Sequence, residues 1–312
     1  MTKTLGTTIL DRIGNTPLAR LSKITADLPG IEILGKVEWA NPGGSVKDRA
    51  ASSIVAEAFK KGELGPSRPG RALLDATSGN TGIAYAMLGA ALGFPVRLCM
   101  PSNVSPERKR LLAGYGAEII WTDPTESSDG AIREARKMAK QNKDEFWYAD
   151  QYSNKNNWKA HYRTTGKEIW KQTAGQVTHF VTGVGTSGTF MGTTRRLKAF
   201  NPEIQCIAMQ PDSPFHGLEG MKHMESAMKP KIWDPSIADR QLEISTEEAY
   251  RNAKRLGRTE GMLVGVSAAA NVTAALHIAK EEVAAGRKAV IVTILCDSAD
   301  KYLSERFWDE VE

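Results

Sequence analysis

Short apolar runs alternate along the chain with segments of helical period. From residue 32 onward, this alternation is the pattern expected of βα units around a mainly parallel sheet. Seven runs have the length and composition of buried strands, and they lie at 32–38, 72–76, 95–100, 117–121, 177–182, 204–209 and 289–295. The pattern therefore predicts an α/β protein with mainly parallel sheets flanked by helices.

Two helices are predicted clearly by their stripes and caps. Residues 46–61 place their apolar side chains on one stripe, and Gly62 follows as a C-terminal stop. Another helix begins at the sequence Ser-Pro-Glu of residues 105–107, where the serine caps the helix and the proline takes its first turn. Residues 211–240 combine methionine, proline and charge with weak periodicity, so we expect a mobile loop region there.

The length of 312 residues exceeds what one hydrophobic core usually supports. Residues 150–165 are polar and aromatic with little apolar periodicity, and we place a domain boundary near them. Two domains, or one large α/β unit, are therefore expected, with a cleft between the two halves.

Composition and charge narrow the class of protein. The formal net charge of +5 comes from 41 basic and 36 acidic residues without a long basic run, so nucleic acid is not expected as a partner. No segment approaches the roughly 18 to 20 apolar residues that span a bilayer, and the N-terminus lacks a signal-peptide run. The three cysteines and five histidines show no metal or disulfide spacing. We therefore expect a cytoplasmic protein without a metal site or a membrane partner.

Lys47 lies in an unusual place for a lysine. It follows a Pro-Gly-Gly turn at 42–44 and falls in the first turn of the predicted helix. A cation there opposes the helix macrodipole, and a depressed pKa or a covalent imine removes part of that penalty. Taken alone, Lys47 is more simply interpreted as a solvated surface lysine. The neighbouring motifs are therefore needed to choose between the two interpretations.

Residues 77–82 read Thr-Ser-Gly-Asn-Thr-Gly between a predicted strand and a helical pattern. Backbone N–H groups and hydroxyls converge there on a helix start, which makes an anion site suited to a carboxylate or a phosphate. A capped helix with a glycine turn explains the same residues without a ligand. Both interpretations stay open at this point.

Residues 183–189 read Gly-Val-Gly-Thr-Ser-Gly-Thr, again between a strand and a helix. The glycines satisfy GxGxxG, the dinucleotide fingerprint, so a nicotinamide-dependent dehydrogenase is one interpretation. A Rossmann domain, however, places this motif in its first βα unit and an acidic residue after the next strand. Here the motif lies past mid-chain, and the hydroxyls of Thr186, Ser187 and Thr189 suit a phosphate monoester better.

A lysine on a turn, a carboxylate-sized nest and a phosphate-sized nest together describe a cofactor with an aldehyde at one end and a phosphate at the other. Pyridoxal 5'-phosphate has these two groups. An amino-acid substrate would supply the carboxylate for the carboxylate-sized nest at 77–82.

The motifs resemble the cysteine synthase (O-acetylserine sulfhydrylase) group of fold-type II pyridoxal-phosphate enzymes, and its B-type members in particular. The resemblance spans nearly the whole chain, because the motifs occur in the family's order and spacing. They are GNTPL at 14–18, NPGGSVKDR at 41–49, TSGNTG at 77–82, QYSN at 151–154, TTGKEIW at 164–170, GVGTSGT at 183–189, EGMLVGVSAA at 260–269 and CDSADKYLS at 296–304.

This resemblance implies two domains, each with a mainly parallel sheet flanked by helices, as in tryptophan synthase β. Residues 40–153 would form a smaller, mobile domain that binds the substrate carboxylate. Residues 1–39 plus 154–312 would form a larger domain that binds the cofactor phosphate. The resemblance also implies a homodimer.

The resemblance further implies roles for individual residues. Lys47 would hold the cofactor as a Schiff base and move the substrate Cα proton, and Asn80 would meet the phenolic oxygen of the cofactor. Cys296 would face the pyridine nitrogen, a position that is serine in A-type members. The phosphate would lie on Gly185, Thr186, Ser187, Gly188 and Thr189, and the substrate carboxylate on Thr77, Ser78, Thr81 and Gln151.

The implied reaction converts O-acetylserine and sulfide, or a related donor such as thiosulfate, into cysteine and acetate. A thiol at Cys296 cannot keep the pyridine nitrogen protonated as an aspartate would, which favours prompt loss of a β-leaving group. The loop at 217–223 is less basic than in some B-type members, which argues against anionic substrates. The alternatives are an O-phosphoserine sulfhydrylase, a cystathionine β-synthase, and a catalytically weak homologue that acts as a binding partner.

Overall fold

A computed structural model describes residues 7–77 and 79–310, except for the side chain of Ser127. Ser78, one of the predicted carboxylate ligands, therefore lies outside the described residues. The described strands are β1 Leu18–Arg20, β2 Ile31–Val37, β3 Ala72–Ala76, β4 Val96–Pro101, β5 Glu118–Thr122, β6 Phe146–Tyr148, β7 His179–Gly183, β8 Gln205–Pro211, β9 Arg240–Ile244 and β10 Ala289–Leu295.

Helices occupy most of the segments between these strands. The described α-helices are α1 Lys47–Lys60, α2 Asn80–Leu92, α3 Pro106–Gly114, α4 Ser127–Gln141, α5 Lys155–Arg163, α6 Thr165–Gln172, α7 Gly188–Phe200, α8 Thr246–Glu260 and α9 Val266–Ala284. None of them combines the length and the apolar character that crossing a bilayer requires.

Contacts divide the chain into two compact units. The first comprises the N-terminal segment through Asn15 together with Ala40–Asn157, and the second comprises Thr16–Trp39 and the chain from Trp158 onward. The second boundary falls inside α5, so the polar segment in which we expected a domain boundary is helical rather than irregular. The assignment of 40–153 as a mobile, carboxylate-binding domain stays a prediction.

The first unit contains a four-stranded sheet in the order β5-β4-β3-β6, with all neighbours parallel. One of its two central strands, β3, reads ALLDA and is buried along its whole length, as expected for a strand covered on both faces. Helix α2 is rich in small and apolar residues and ends at Gly93, whose φ of 75° is in the left-handed region that favours glycine. The carboxyl end of β3 therefore leads directly into the N-terminus of α2.

The second unit contains a six-stranded sheet in the order β1-β2-β10-β7-β8-β9. Only the pairing of β1 with β2 is antiparallel. The apolar strand β10 lies between β2 and β7, and α9 packs against all three strands. Because β7 and β10 run parallel, the chain segments that follow Gly183 and Leu295 leave the sheet at the same edge.

The apolar pattern located seven strands within a few residues of their observed bounds. It missed β1, β6 and β9, because two of these have only three residues and the third, RQLEI, is a largely exposed edge strand. Residues 212–234 contain no helix or strand, in agreement with the loop expected there.

Candidate active site

Lys47 is the first residue of α1, and the preceding turn fixes its position. The backbone N–H of Lys47 donates to Oγ of Ser45 at 3.2 Å, and the N–H of Gly43 donates to Oδ2 of Asp48 at 2.5 Å. A Cβ at Gly43 would lie 2.5 Å from the other oxygen of Asp48, so the turn requires glycine there. The Lys47 side chain is half-buried, and its ammonium makes no hydrogen bond or ion pair with the described residues.

Two of the predicted carboxylate ligands hydrogen-bond to each other where α2 begins. The Thr81 hydroxyl donates to Oε1 of Gln151 at 2.8 Å, and Nε2 of Gln151 donates to the carbonyl of Ala76 at 2.7 Å. An amide carries two N–H donors, and the second Nε2 hydrogen has no acceptor within the described part of the chain. This hydrogen can therefore bind a carboxylate oxygen.

Thr77 and Asn80 flank the same turn. The Thr77 hydroxyl accepts a hydrogen bond from the N–H of Gly79 at 3.1 Å, and Asn80 is the first residue of α2. A Cβ at Gly79 would lie 3.1 Å from Nε of Arg108, which is itself buried. The turn thus brings Thr77, Asn80 and Thr81 together at the positive end of a helix, a place suited to an anion.

A buried carboxyl, Asp75, lies directly beneath this turn and was not predicted. Its oxygens accept hydrogen bonds from the N–H of Ala76 at 2.9 Å and from the N–H of Gln151 at 3.3 Å. Burial raises the pKa of Asp75 to about 8, against the opposing effect of the Ala76 hydrogen bond. Asp75 therefore holds the backbone of Gln151 in place. The sequence did contain a signal for Asp75, because it is the one charged residue in an apolar strand.

In the second unit, the glycine-rich turn follows β7 and caps α7. A Cβ at Gly185 would lie only 2.0 Å from the carbonyl oxygen of Gly220, so no larger residue fits that position. Ser187 has a φ of 67° and precedes Gly188, the first residue of α7. The Ser187 hydroxyl is buried and has no hydrogen-bond partner among the described residues. A buried hydroxyl beside the N-terminus of a helix fits a phosphate group.

The other predicted phosphate ligands lie on the same turn. Thr186 precedes Ser187, and Oγ1 of Thr189 lies 3.4 Å from Nε2 of His161. His161 is buried, and its Nδ1 lies 2.9 Å from the hydroxyl of Thr165. The turn from 185 to 189 therefore places three hydroxyl side chains near one helix start.

Cys296 follows β10 directly and lies beside the beginning of the glycine-rich turn. Its side chain is half-buried, and Nδ2 of Asn271 donates to its sulfur at 3.4 Å. Oδ1 of Asn271 accepts a hydrogen bond of 2.7 Å from the N–H of Gly183. The unit therefore connects the thiol and the turn through one side chain that the sequence did not single out. The signal for Asn271 was a lone amide in the apolar sequence of α9.

The model of the pyridoxal-phosphate-dependent enzyme family matches residues 9–297. The chain belongs to the family of pyridoxal-phosphate-dependent enzymes, and the predicted family and α/β fold are confirmed. Within each unit the residues fit that cofactor, since the second unit supplies the buried Ser187 hydroxyl, suited to a phosphate, and the first supplies the Lys47 amine, suited to an aldehyde.

Relatives that match over nearly their whole length indicate which members of the family this chain resembles. A cysteine synthase of Aquifex aeolicus is 49% identical over 305 residues, covering 97% of this chain and 92% of that protein. A cysteine synthase B of Pseudomonas aeruginosa is 41% identical over 302 residues, covering 97% of each chain. The crystal structure of an O-ureido-L-serine synthase superimposes with a TM-score of 0.90 at 35% identity, covering 99% of this chain and 97% of that one.

Proposed function

We propose that this protein is a cysteine synthase that converts O-acetylserine and sulfide into cysteine and acetate. Two full-length relatives are cysteine synthases, which supports this choice within the family. When bound, pyridoxal phosphate supplies the electron sink that acidifies the Cα–H bond of the amino acid.

Residues of the chain would bind the cofactor, orient the substrate and transfer the proton. The Lys47 amine would hold the cofactor through its aldehyde carbon and would move the proton of the substrate Cα. The substrate carboxylate would be oriented by Thr77, Thr81 and Gln151, together with Ser78. The Asn80 amide would help to hold the cofactor at its phenolic oxygen. Gly185, Thr186, Ser187, Gly188 and Thr189 hold the phosphate through N–H groups and hydroxyls.

The observation that carries the proposal is the thiol of Cys296 next to the glycine-rich turn. A thiol donates weakly, so it does not keep a ring nitrogen protonated. Asp297, the nearest carboxylate in sequence, is buried and accepts a hydrogen bond from the Tyr302 hydroxyl at 2.7 Å. A weakened electron sink favours loss of a β-substituent over reactions that need a long-lived carbanion.

A product assay with purified protein tests this function. The protein is supplied with pyridoxal phosphate and with each pair of one amino acid (O-acetylserine, O-phosphoserine or serine) and one sulfur donor (sulfide, thiosulfate or homocysteine). We expect cysteine and acetate from O-acetylserine and sulfide at the highest kcat/KM. Turnover only with O-phosphoserine, or cystathionine formation only from serine and homocysteine, would replace the proposed substrate. No turnover with any pair would favour a binding role.

Anionic substrates are a second candidate, and Lys222 is the residue that favours them. Lys222 is only 5% exposed, and its backbone N–H donates to the carbonyl of Val184 within the glycine-rich turn at 3.0 Å. A cation buried beside this turn suits thiosulfate or O-phosphoserine. Lys222→Met should then lower kcat/KM for these two substrates while leaving that for sulfide and O-acetylserine nearly unchanged.

We also propose that the protein is a homodimer in the cytoplasm. The resemblance to cysteine synthases supports the dimer, and three free thiols suit a reducing compartment. Light scattering after size exclusion should give twice the chain mass of 34.0 kDa. The mass of a single chain would contradict the dimer.

A further inference from the structure

Asn271 is a fully buried amide whose polar atoms contact two separate parts of the second unit. Its Oδ1 accepts from the N–H of Gly183 at 2.7 Å, and its Nδ2 donates to the carbonyl of Ile294 at 2.7 Å and to the sulfur of Cys296 at 3.4 Å. We propose that Asn271 is a positioning residue that ties the first residue of the glycine-rich turn to the Cys296 thiol.

The hydrogen-bond partners fix the orientation of the Asn271 amide. If oxygen and nitrogen exchanged places, two N–H donors would face the N–H of Gly183, and the carbonyl oxygen of the amide would face that of Ile294. Both contacts would be repulsive. The side chain therefore has one stable orientation, in which both N–H groups point to the Cys296 side.

The backbone of Asn271 is held as firmly as its side chain. Asn271 lies in the second turn of α9, and α9 packs against β7 and β10. The hydroxyl of Thr293 on β10 lies 2.8 Å from the carbonyl of Val181 on β7 and 3.4 Å from the carbonyl of Asn271. The amide thus connects the ends of two parallel strands at a fixed distance.

This contact has a consequence for the chemistry of the thiol. Asn271 makes the sulfur a hydrogen-bond acceptor at 3.4 Å, and its Nδ2 shares the Ile294 carbonyl with the Cys296 thiol, which donates to that carbonyl at 3.8 Å. The hydrogen bond that the sulfur accepts polarises the thiol and makes it a stronger donor, also toward another group. If the proposed function holds, that group is the ring nitrogen of the cofactor, so Asn271 sets the distance between the phosphate site and the nitrogen site.

The first test uses the protein without cofactor and does not depend on the proposed reaction. A hydrogen bond to sulfur stabilises the thiolate, so Asn271→Ala and Asn271→Asp should slow the labelling of Cys296 by a disulfide reagent about 3- to 10-fold near neutral pH. Burial raises the pKa of Cys99 and of Cys206 to about 12, which keeps these thiols unreactive. The labelling signal that disappears in the Cys296→Ser variant is the one that belongs to the Cys296 thiol.

The controls separate positioning from general stability. Asn252→Ala removes another amide that donates to α9, at the Thr273 hydroxyl, without touching Cys296. Asn271→Asp keeps the size of the side chain and the acceptor for Gly183 but replaces the donor to Ile294 and Cys296 by an oxygen, whereas Asn271→Ala removes all three contacts. Equal labelling rates in wild type, both Asn271 variants and Asn252→Ala would overturn the contact.

The second test uses the loaded protein. Both Asn271 variants should weaken pyridoxal-phosphate binding about 10-fold and should shift the pH dependence of its visible absorption, whereas Asn252→Ala should do neither. Slower labelling together with unchanged binding and absorption would overturn the positioning role. If the wild-type protein bound no pyridoxal phosphate, the proposed function would be wrong. The labelling rates would still show whether Asn271 acts on the Cys296 sulfur.

Discussion

The hydroxyl of Thr81 donates a hydrogen bond of 2.8 Å to Oε1 of Gln151, a residue 70 positions further along the chain. The contact joins the first turn of α2 to the segment after β6. It orients the Gln151 amide so that one Nε2 hydrogen points at the Ala76 carbonyl, while the second has no acceptor among the described residues. The proposed carboxylate site therefore has its two side chains held in place by hydrogen bonds within the protein itself.

Replacing Gln151 should weaken substrate binding without removing the cofactor. In Gln151→Ala we expect the KM for O-acetylserine to rise about 10- to 100-fold, because a hydrogen bond to a charged group contributes about 1.5–3 kcal/mol. The visible absorption of the resting enzyme should persist. Steady-state kinetics measure the effect, with Gln205→Ala, an exposed glutamine on β8, as the control. An unchanged KM would remove Gln151 from the carboxylate site.

Replacing Lys47 should abolish both the covalent attachment of the cofactor and the reaction. Lys47→Ala should lose about 10²- to 10⁴-fold in activity from proton transfer alone, and borohydride should no longer fix the cofactor to the protein. Lys61→Ala, which removes an exposed lysine paired with Glu57, serves as the matched control. Retention of activity in Lys47→Ala would contradict the role assigned to it.

Adding one methyl group at Gly185 should disrupt the phosphate site. In Gly185→Ala the new Cβ would meet the Gly220 carbonyl oxygen at 2.0 Å, so one of the two segments must move. We expect the affinity for pyridoxal phosphate to fall at least about 10-fold and the unfolding free energy to fall by about 1–3 kcal/mol. Gly114→Ala is the control, since a Cβ there meets no atom within 4 Å. Equal cofactor affinity in both variants would count against the site.

The buried Asp75 should make stability depend on pH. Its pKa is raised to about 8 in the folded protein by burial, compared with 3.8 for an exposed carboxyl. Below about pH 4 the carboxyl is neutral in both states. As the pH rises towards 8, it ionises only in the unfolded state, so the unfolding free energy decreases and then levels off.

Asp75→Asn removes this titration. The difference in unfolding free energy between variant and wild type should therefore shift in favour of the variant by on the order of 5 kcal/mol between pH 4 and pH 8. Urea denaturation at several pH values measures it, with Asp144→Asn, an exposed aspartate, as the control. A difference that stays constant across this range would show that Asp75 is ionised in the folded protein.

Sequence reasoning succeeded where one local pattern decides the structure. The largely apolar runs of β3 and β10 were predicted with their observed bounds, and so was the Ser105 cap of α3, whose side chain accepts from the N–H of Arg108. Helix α5 was not predicted, because its polar and aromatic residues show little apolar periodicity.

Contacts between distant segments could not be predicted from the sequence. Asn271 meets Gly183 and Cys296, which are 88 and 25 positions away, and Asp75 meets the N–H of Gln151 across 76 positions. No spacing rule connects such positions, because the register of parallel strands and the packing of helices decide which side chains meet. The motifs therefore located the candidate ligands but not the residues that hold them.

The most direct test of the proposed function is the visible absorption of the purified, pyridoxal-phosphate-loaded protein, recorded before and after O-acetylserine and again after sulfide. We expect a band from the lysine-bound cofactor that shifts to longer wavelength with O-acetylserine and returns with sulfide, while cysteine appears in equal amount. A band that does not respond to O-acetylserine, or that responds but is not restored by sulfide, would contradict the proposed cysteine synthase reaction.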